Sequence, residues 1–179
     1  MTVTHAALVP HATTPCAAVR GLATRVVLTA RGQLSLYYVL RAPLAQLEIP
    51  APRARRFCDG LWQHSCFEAF VAVDGATAYR ELNFAPSGEW AAYGFTAVRE
   101  GRVRLEAVPR LATRRDSERF ELDAVVELDE LFDRPWKVVR LGLAAVIESS
   151  DGTLSYWALR HPVERPDFHH RGGLLLSLS

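Results

Sequence analysis

The sequence predicts an all-β fold, a sandwich or a barrel, on three observations. Short β-like runs recur along the chain at spacings of roughly 8–12 residues. Turn-forming residues stand at their junctions. Helix signals are sparse, and no internal repeat, low-complexity tract or long linker interrupts the pattern.

ATRVVLTA (23–30) comes first; AAVRGLATRVV around it also fits a helix, but the β-branched Val26, Val27 and Thr29 favour a strand. Ala-Arg-Gly-Gln at 30–33 turns the chain into LSLYYVLRA (34–42). In CFEAFVAV (66–73), Phe67, Ala69, Val71 and Val73 form an apolar stripe, with Glu68 pointing the other way beside Phe70. Asp74-Gly75, a strong hairpin signal, leads to AYRELNFA (78–85), and Pro86-Ser87-Gly88 leads to EWAAYGFTA (89–97). Arg99-Glu100-Gly101 precedes VRLEAVPRLA (103–112), followed by RFELDAVVEL (119–128). LDELFDRPW (128–136) holds one helical turn, stopped by Pro135. VVRLGLAAVIES (138–149) and LSYWALRH (154–161) flank Asp151-Gly152, and GLLLSLS (173–179) closes the chain. A lipocalin-like closed barrel is the architectural alternative.

The 79–95 hairpin is the most informative stretch. Ala-Pro-Ser-Gly fits a type I turn followed by a glycine bulge, because proline presets φ near about −65° and glycine tolerates positive φ. That turn pairs Ala85 with Glu89, Asn83 with Ala91, Glu81 with Tyr93 and Tyr79 with Phe95. One face then carries Tyr79, Glu81, Asn83, Tyr93 and Phe95; the other carries Arg80, Leu82, Phe84, Trp90 and Ala92. A one-residue slip would exchange them. The second face is mostly apolar and is assigned to the core. The first suits sugar recognition, with aromatic faces for C–H surfaces and Glu and Asn for hydroxyls; it also fits a solvated amphipathic surface. If the 66–73 strand neighbours this hairpin, Glu68 and Glu81 share a face, and two close carboxyls raise a pKa and can serve acid–base chemistry.

The 179 residues suit one domain spanning 1–179, and an apolar content of 49% is enough for a sizeable core. A net charge of +1 with dispersed signs argues against nucleic acid as a partner, and Arg53, Arg55 and Arg56 are read as a solvated loop. No apolar run approaches the ~20 residues of a membrane helix. The first twenty residues lack the features of a signal peptide. Three cysteines, Cys16, Cys58 and Cys66, are too few for a disulfide framework, so a reducing, cytoplasmic setting is expected. No cofactor or metal is expected. Cys58, His64 and Cys66 could supply three zinc ligands, but at no standard spacing. There is no Gly-rich phosphate loop, nucleophile elbow, zinc-protease motif or calcium loop. Oligomeric state is left open.

LWQHSCFEAFV, YRELNFAPSGEWAAYGF and YWALRHPVERPDFHH, lying between residues 61 and 170, together resemble DOMON-like domains. More narrowly, they resemble the bacterial group related to family 9 carbohydrate-binding modules. The resemblance implies an antiparallel β-sandwich of jelly-roll type, a ligand site on or at the end of one sheet, and binding instead of catalysis. Relatives bind sugars or haem. In the sugar-binding modules two tryptophans sandwich a terminal sugar, and Trp62 and Trp157 lie in the matching motifs; Trp90 is a third, on the core-assigned face. Haem ligation by Met and His is excluded because Met1 is the only methionine, and no histidine spacing supports a bis-His pair. The resulting expectation is a non-catalytic domain binding a carbohydrate or sugar-like small molecule. Trp62 and Trp157 would stack, and Glu68, Glu81, Asn83 and Tyr93 would supply polar contacts. Arg80 would join them if the hairpin register were reversed, and His169 would line the pocket or cap the last strand. The alternatives are a small enzyme using Glu68 and Glu81 on a sugar or cell-wall precursor, and an interaction module docking a partner enzyme.

Overall fold

The computed structural model describes residues 1–133 and 135–179; Arg134, inside the segment expected to hold a helical turn, lies outside them. Among the described residues twelve strands form one antiparallel sheet. Its first half contains β1 (Thr2–Pro10), β2 (Gly21–Leu28) and β3 (Gln33–Arg41). The second half begins with β4 (Cys66–Val73), β5 (Tyr79–Phe84), β6 (Trp90–Phe95) and the short β7 (Val103–Arg104). The chain returns to the first half with β8 (Arg110–Arg115) and β9 (Arg119–Glu127), makes one helical turn, α1 (Leu128–Leu131), and ends in the second half with β10 (Val139–Glu148), β11 (Leu154–Ala158) and β12 (Leu176–Leu178). The strand order is β7-β6-β5-β4-β10-β11-β1-β2-β3-β9-β8, with β12 beside β10.

The all-β, antiparallel, helix-poor expectation holds, but the strands follow one continuous path and not two separate sheets. β1 is the join: residues 2–8 pair with β2, and Val9 and Pro10 pair with Ala158 and Trp157 of β11. The sheet curls there, so its halves face each other across the core. Tyr38 of β3 donates its hydroxyl to the backbone oxygen of Glu68 in β4 at 2.8 Å. Phe67 of β4 stacks on Phe120 of β9, ring centroids 5.5 Å apart. The alternating Leu34, Leu36, Tyr38 and Leu40 of β3 line the same core.

Two elements differ from the sequence reading. β1 was not anticipated, although Thr2, Val3, Thr4 and Val9 are β-branched; its pairing with β2 makes it a strand. The run 103–112 divides into β7, paired with β6, and β8, paired with β9, so residues 105–109 cross between halves. Pro109, without an N–H, sits at the break. Among the described residues no helix is long and apolar enough to cross a membrane.

Candidate functional site

The hairpin register is the one its turn chemistry dictates. Tyr79 pairs with Phe95, Glu81 with Tyr93, Asn83 with Ala91 and Phe84 with Trp90. Ala85 N–H donates to Glu89 O at 2.9 Å, closing the turn, with Gly88 at φ 90°. Leu82, Phe84, Trp90 and Ala92 therefore face the core between the halves. Tyr79, Tyr93 and Phe95 join a second apolar cluster on the opposite face. That opposite face is not solvated: Glu68, Glu81 and Asn83 are each no more than 5% exposed.

Cross-strand register explains why a depression forms there. Glu68 lies opposite Asn83 on one side and Ala144 on the other. Ala91 flanks Asn83, and Ala158 flanks Ala144. The row thus reads Ala158, Ala144, Glu68, Asn83, Ala91, and its small side chains leave room above the carboxyl. In the next row Gly142 faces Phe70, which faces Glu81. The result is a pocket of about 370 Å³, at the lower end of the small-molecule range. Glu68 and Glu81 line it, with aromatic walls from Trp62, Phe95, Tyr156 and Phe168.

Loops complete the walls. Trp62 sits in the 3-10 turn Leu61–Gln63, which follows Gly60 at φ 75°. Its ring meets Tyr93 edge-on at 6.2 Å, and the Arg102 guanidinium lies over both, 4.4 Å from the Tyr93 ring centre and 5.5 Å from that of Trp62. Arg102 contacts both Asp59 oxygens, at 3.1 and 3.2 Å, and the Tyr93 hydroxyl donates to Asp59 as well. That hydroxyl bond, with the guanidinium's charge, holds the Asp59 carboxyl below its ordinary range. In the turn that leads to Arg102, Arg99 adopts φ 60°, a backbone state rare outside glycine. Its N–H donates to Tyr79 Oη at 3.2 Å and its guanidinium pairs with Asp167 at 2.8 Å.

His169 stands edge-on to Phe70 and Phe95, with centroids 5.2 and 5.3 Å away. Its Nδ1 lies 2.6 Å from Tyr79 Oη. That hydroxyl also accepts from Arg99 N–H, and the other ring nitrogen, Nε2, lies 3.7 Å from Glu81 Oε2. Desolvation, with the Arg99 charge, pushes the His169 pKa down to about 4. The carboxyls move the opposite way. Burial raises Glu68 well above the carboxylate range, and the nearby Glu81 adds to the rise. Burial also raises Glu81, against a 2.7 Å hydrogen bond from Asn83 Nδ2. Two buried acceptors here, Glu68 Oε1 and Asn83 Oδ1, have no hydrogen-bond partner among the described residues.

Of the residues singled out by sequence, Trp62, Glu68, Glu81 and His169 converge on this pocket. Asn83 and Tyr93 share the face but serve their neighbours, orienting Glu81 and supporting Trp62 respectively. Two do not join. Trp157, 4% exposed, faces the core, its Nε1 donating to Ser155 Oγ at 3.0 Å; strand alternation in β11 gives the pocket side to Tyr156 instead. The register is not reversed, so Arg80 lies on the far face, donating to Leu131 O at 2.6 Å with its guanidinium over Phe132. The Cys58, His64 and Cys66 trio does not converge: the buried Cys66 thiol is pushed up by desolvation, and His64 pairs with Glu148 at 2.8 Å. Arg53 and Arg56 are exposed but pair with the buried Glu89 at the hairpin turn. Sequence reasoning missed Arg99 and Arg102, whose only signal was the turn Arg99-Glu100-Gly101-Arg102, and Tyr156 and Phe168, which stand beside the residues it did choose.

No protein-family model matches the chain, and no curated protein matches it. Among solved structures it is similar to the crystal structure of a "putative carbohydrate-binding protein" from Bacteroides uniformis. The TM-score is 0.69 over 96% of this chain and 84% of that one, at 17% identity. At that identity the likeness establishes a shared fold.

Proposed function

We propose that this chain is a non-catalytic binding domain for a carbohydrate or sugar-like small molecule, taken up in the pocket between Trp62 and His169. The observation that carries the reading is the union of aromatic walls with two buried carboxyls, one holding an unpaired oxygen. Aromatic faces cover the C–H surfaces of a sugar ring, while buried acceptors without partners favour a ligand that brings donors. The structural neighbour described as carbohydrate-binding supports the same direction. With the motif set of residues 61–170, we read the curled sheet as the jelly-roll-type sandwich of the DOMON-like group, a single domain. The cysteines are all free, in keeping with a cytoplasmic setting. Trp62 is assigned as the stacking residue, and Glu68, Glu81 and His169 as the polar contacts.

Isothermal titration against mono- and oligosaccharides tests this. A sugar should bind, and Trp62→Ala should weaken it about tenfold or more, the scale of losing one stacked aromatic. Silence from every sugar in a folded protein would remove the carbohydrate reading. A hydrolytic role remains as the second reading because Glu68 and Glu81 occupy one face of adjacent strands. Turnover of aryl glycosides, abolished by both Glu68→Gln and Glu81→Gln, would establish it in place of simple binding.

A further inference from the structure

The pocket's polar groups fall into two sets that differ in whether they are already engaged. The two guanidiniums at its rim are committed: Arg99 to Asp167 at 2.8 Å, Arg102 to Asp59 at 3.1 Å. Each cation is thus matched by a carboxylate, and the rim contributes no net charge. His169 is neutral, with Nδ1 occupied by Tyr79. What remains uncommitted at the floor is carboxyl and amide oxygen, all of it acceptor once a carboxyl proton has left. Glu68 is 2% exposed and its Oε1 has no partner, and Glu81 Oε2 has only the 3.7 Å approach of His169. Asn83, opposite Glu68, gives one of its two amide hydrogens to Glu81 and leaves its own oxygen unpaired.

A sugar hydroxyl brings one donor together with acceptors, whereas an ammonium group brings three donors and no acceptor. It also carries the charge that two carboxyls in a desolvated pocket lack, and it is attracted to aromatic faces. The walls offered by Trp62, Tyr156 and Phe168 supply those faces.

We infer that the pocket selects a ligand bearing a protonated primary amine, held between the Glu68 and Glu81 carboxyls under the aromatic walls; within the carbohydrate reading on which this rests, that is an amino sugar. One carboxyl of the pair ionises to match the one ammonium and the other keeps its proton, so the filled pocket carries no net charge; burial disfavours ionising either without the cation. The neutral, committed rim admits the sugar ring without competing for its charge.

The experiment is calorimetric titration with D-glucosamine, D-glucose and N-acetyl-D-glucosamine at roughly pH 6.5, where an amino group is protonated. Cyclohexylammonium and cyclohexanol serve as a sugar-free pair. Glucosamine should bind about tenfold or more tightly than the other two sugars, as expected for a charge-assisted contact. Glu68→Gln and Glu81→Gln should each erase that preference while retaining the native circular dichroism spectrum. Glucose binding as well as glucosamine would overturn the amine assignment and leave the carbohydrate reading intact. If no sugar binds but cyclohexylammonium does and cyclohexanol does not, the amine site stands and the carbohydrate reading falls. Silence from every ligand overturns both. A glucosamine preference that survives both substitutions would place the amine elsewhere and overturn this assignment.

Discussion

Glu68 is a carboxyl that folding removes from water without giving it a cation. Ionising such a group costs desolvation free energy that nothing repays, so burial pushes its pKa well above the carboxylate range. Its folded pKa lies above the unfolded value of about 4.3, so the native state binds this proton more tightly than the unfolded chain. The resulting stability is fully present below that value and is lost as pH rises through the folded pKa. Glu68→Gln removes the liability. The variant should melt several degrees above the native protein at about pH 8, with the gap closing toward about pH 5; thermal melts across that range check it. His169 has the opposite sign. Its folded pKa of about 4 lies below an unfolded value of about 6.5, so its contribution is present above the latter and fades as pH falls toward the former. His169→Gln should flatten that acid-side loss, and the same melts taken between those two values will show it. The two side chains sit in one pocket and their pH windows overlap with opposite signs, so the two single variants, each compared with the native protein, tell them apart.

The strands and turns around these side chains differ in how plainly the sequence announces them. Pro86 and Gly88 fix the hairpin turn, and strict alternation then settles every side chain from Tyr79 to Phe95, so this element could be read residue by residue. The 166–174 segment could not: local hydrogen bonds to Asp167 and His170 shape its turns, but its place on the sheet depends on distant partners. It lies on β10 at Gly142, where a Cβ would come within 3.0 Å of Gly173 O and 3.1 Å of Leu174 Cδ2. Arg140 and Arg171 then anchor it, the first donating to Leu174 O and the second to Ala76 O and Thr77 O. Gly142 is therefore a spacing residue for the wall that carries Phe168 and His169. Gly142→Ala must displace backbone, not a flexible side-chain end, and should cost about 1–3 kcal/mol while weakening ligand binding. Gly88→Ala is the contrasting change. Its neighbours stand 4.0 Å from the new Cβ, so only the positive φ is penalised, by about 1 kcal/mol, with binding unchanged. Melting and titration on the two variants distinguish a wall-positioning glycine from a turn glycine.

At the scale of the whole molecule, β1 joins the halves and the second half is buried on both faces, inward by the facing strands and outward by the loops that build the pocket. A strand buried on both faces reads as nearly continuous apolar sequence. That is why the all-β class, the hairpin and the Glu68–Glu81 face were legible while the destination of each tryptophan was not. Trp62 and Trp157 are alike in the motifs that drew attention to them, and the fold sends one to each side of the same sheet. Trp157, wedged in the core with its indole N–H satisfied by Ser155, acts on stability: Trp157→Ala leaves a cavity costing about 3–5 kcal/mol, enough to lower the melting temperature by roughly 6–20 °C. Trp62 is half-buried on a loop, held by Tyr93 and Arg102 at the pocket mouth. Its replacement by alanine should change melting by no more than about 1 kcal/mol while removing most of the ligand affinity. Measured side by side, the two alanine variants should therefore fail in opposite assays, Trp157→Ala in the thermal melt and Trp62→Ala in the titration. Loss of binding in a still-folded Trp157→Ala protein, with Trp62→Ala unaffected, would move the site from the loop-covered face to the core side of the sheet.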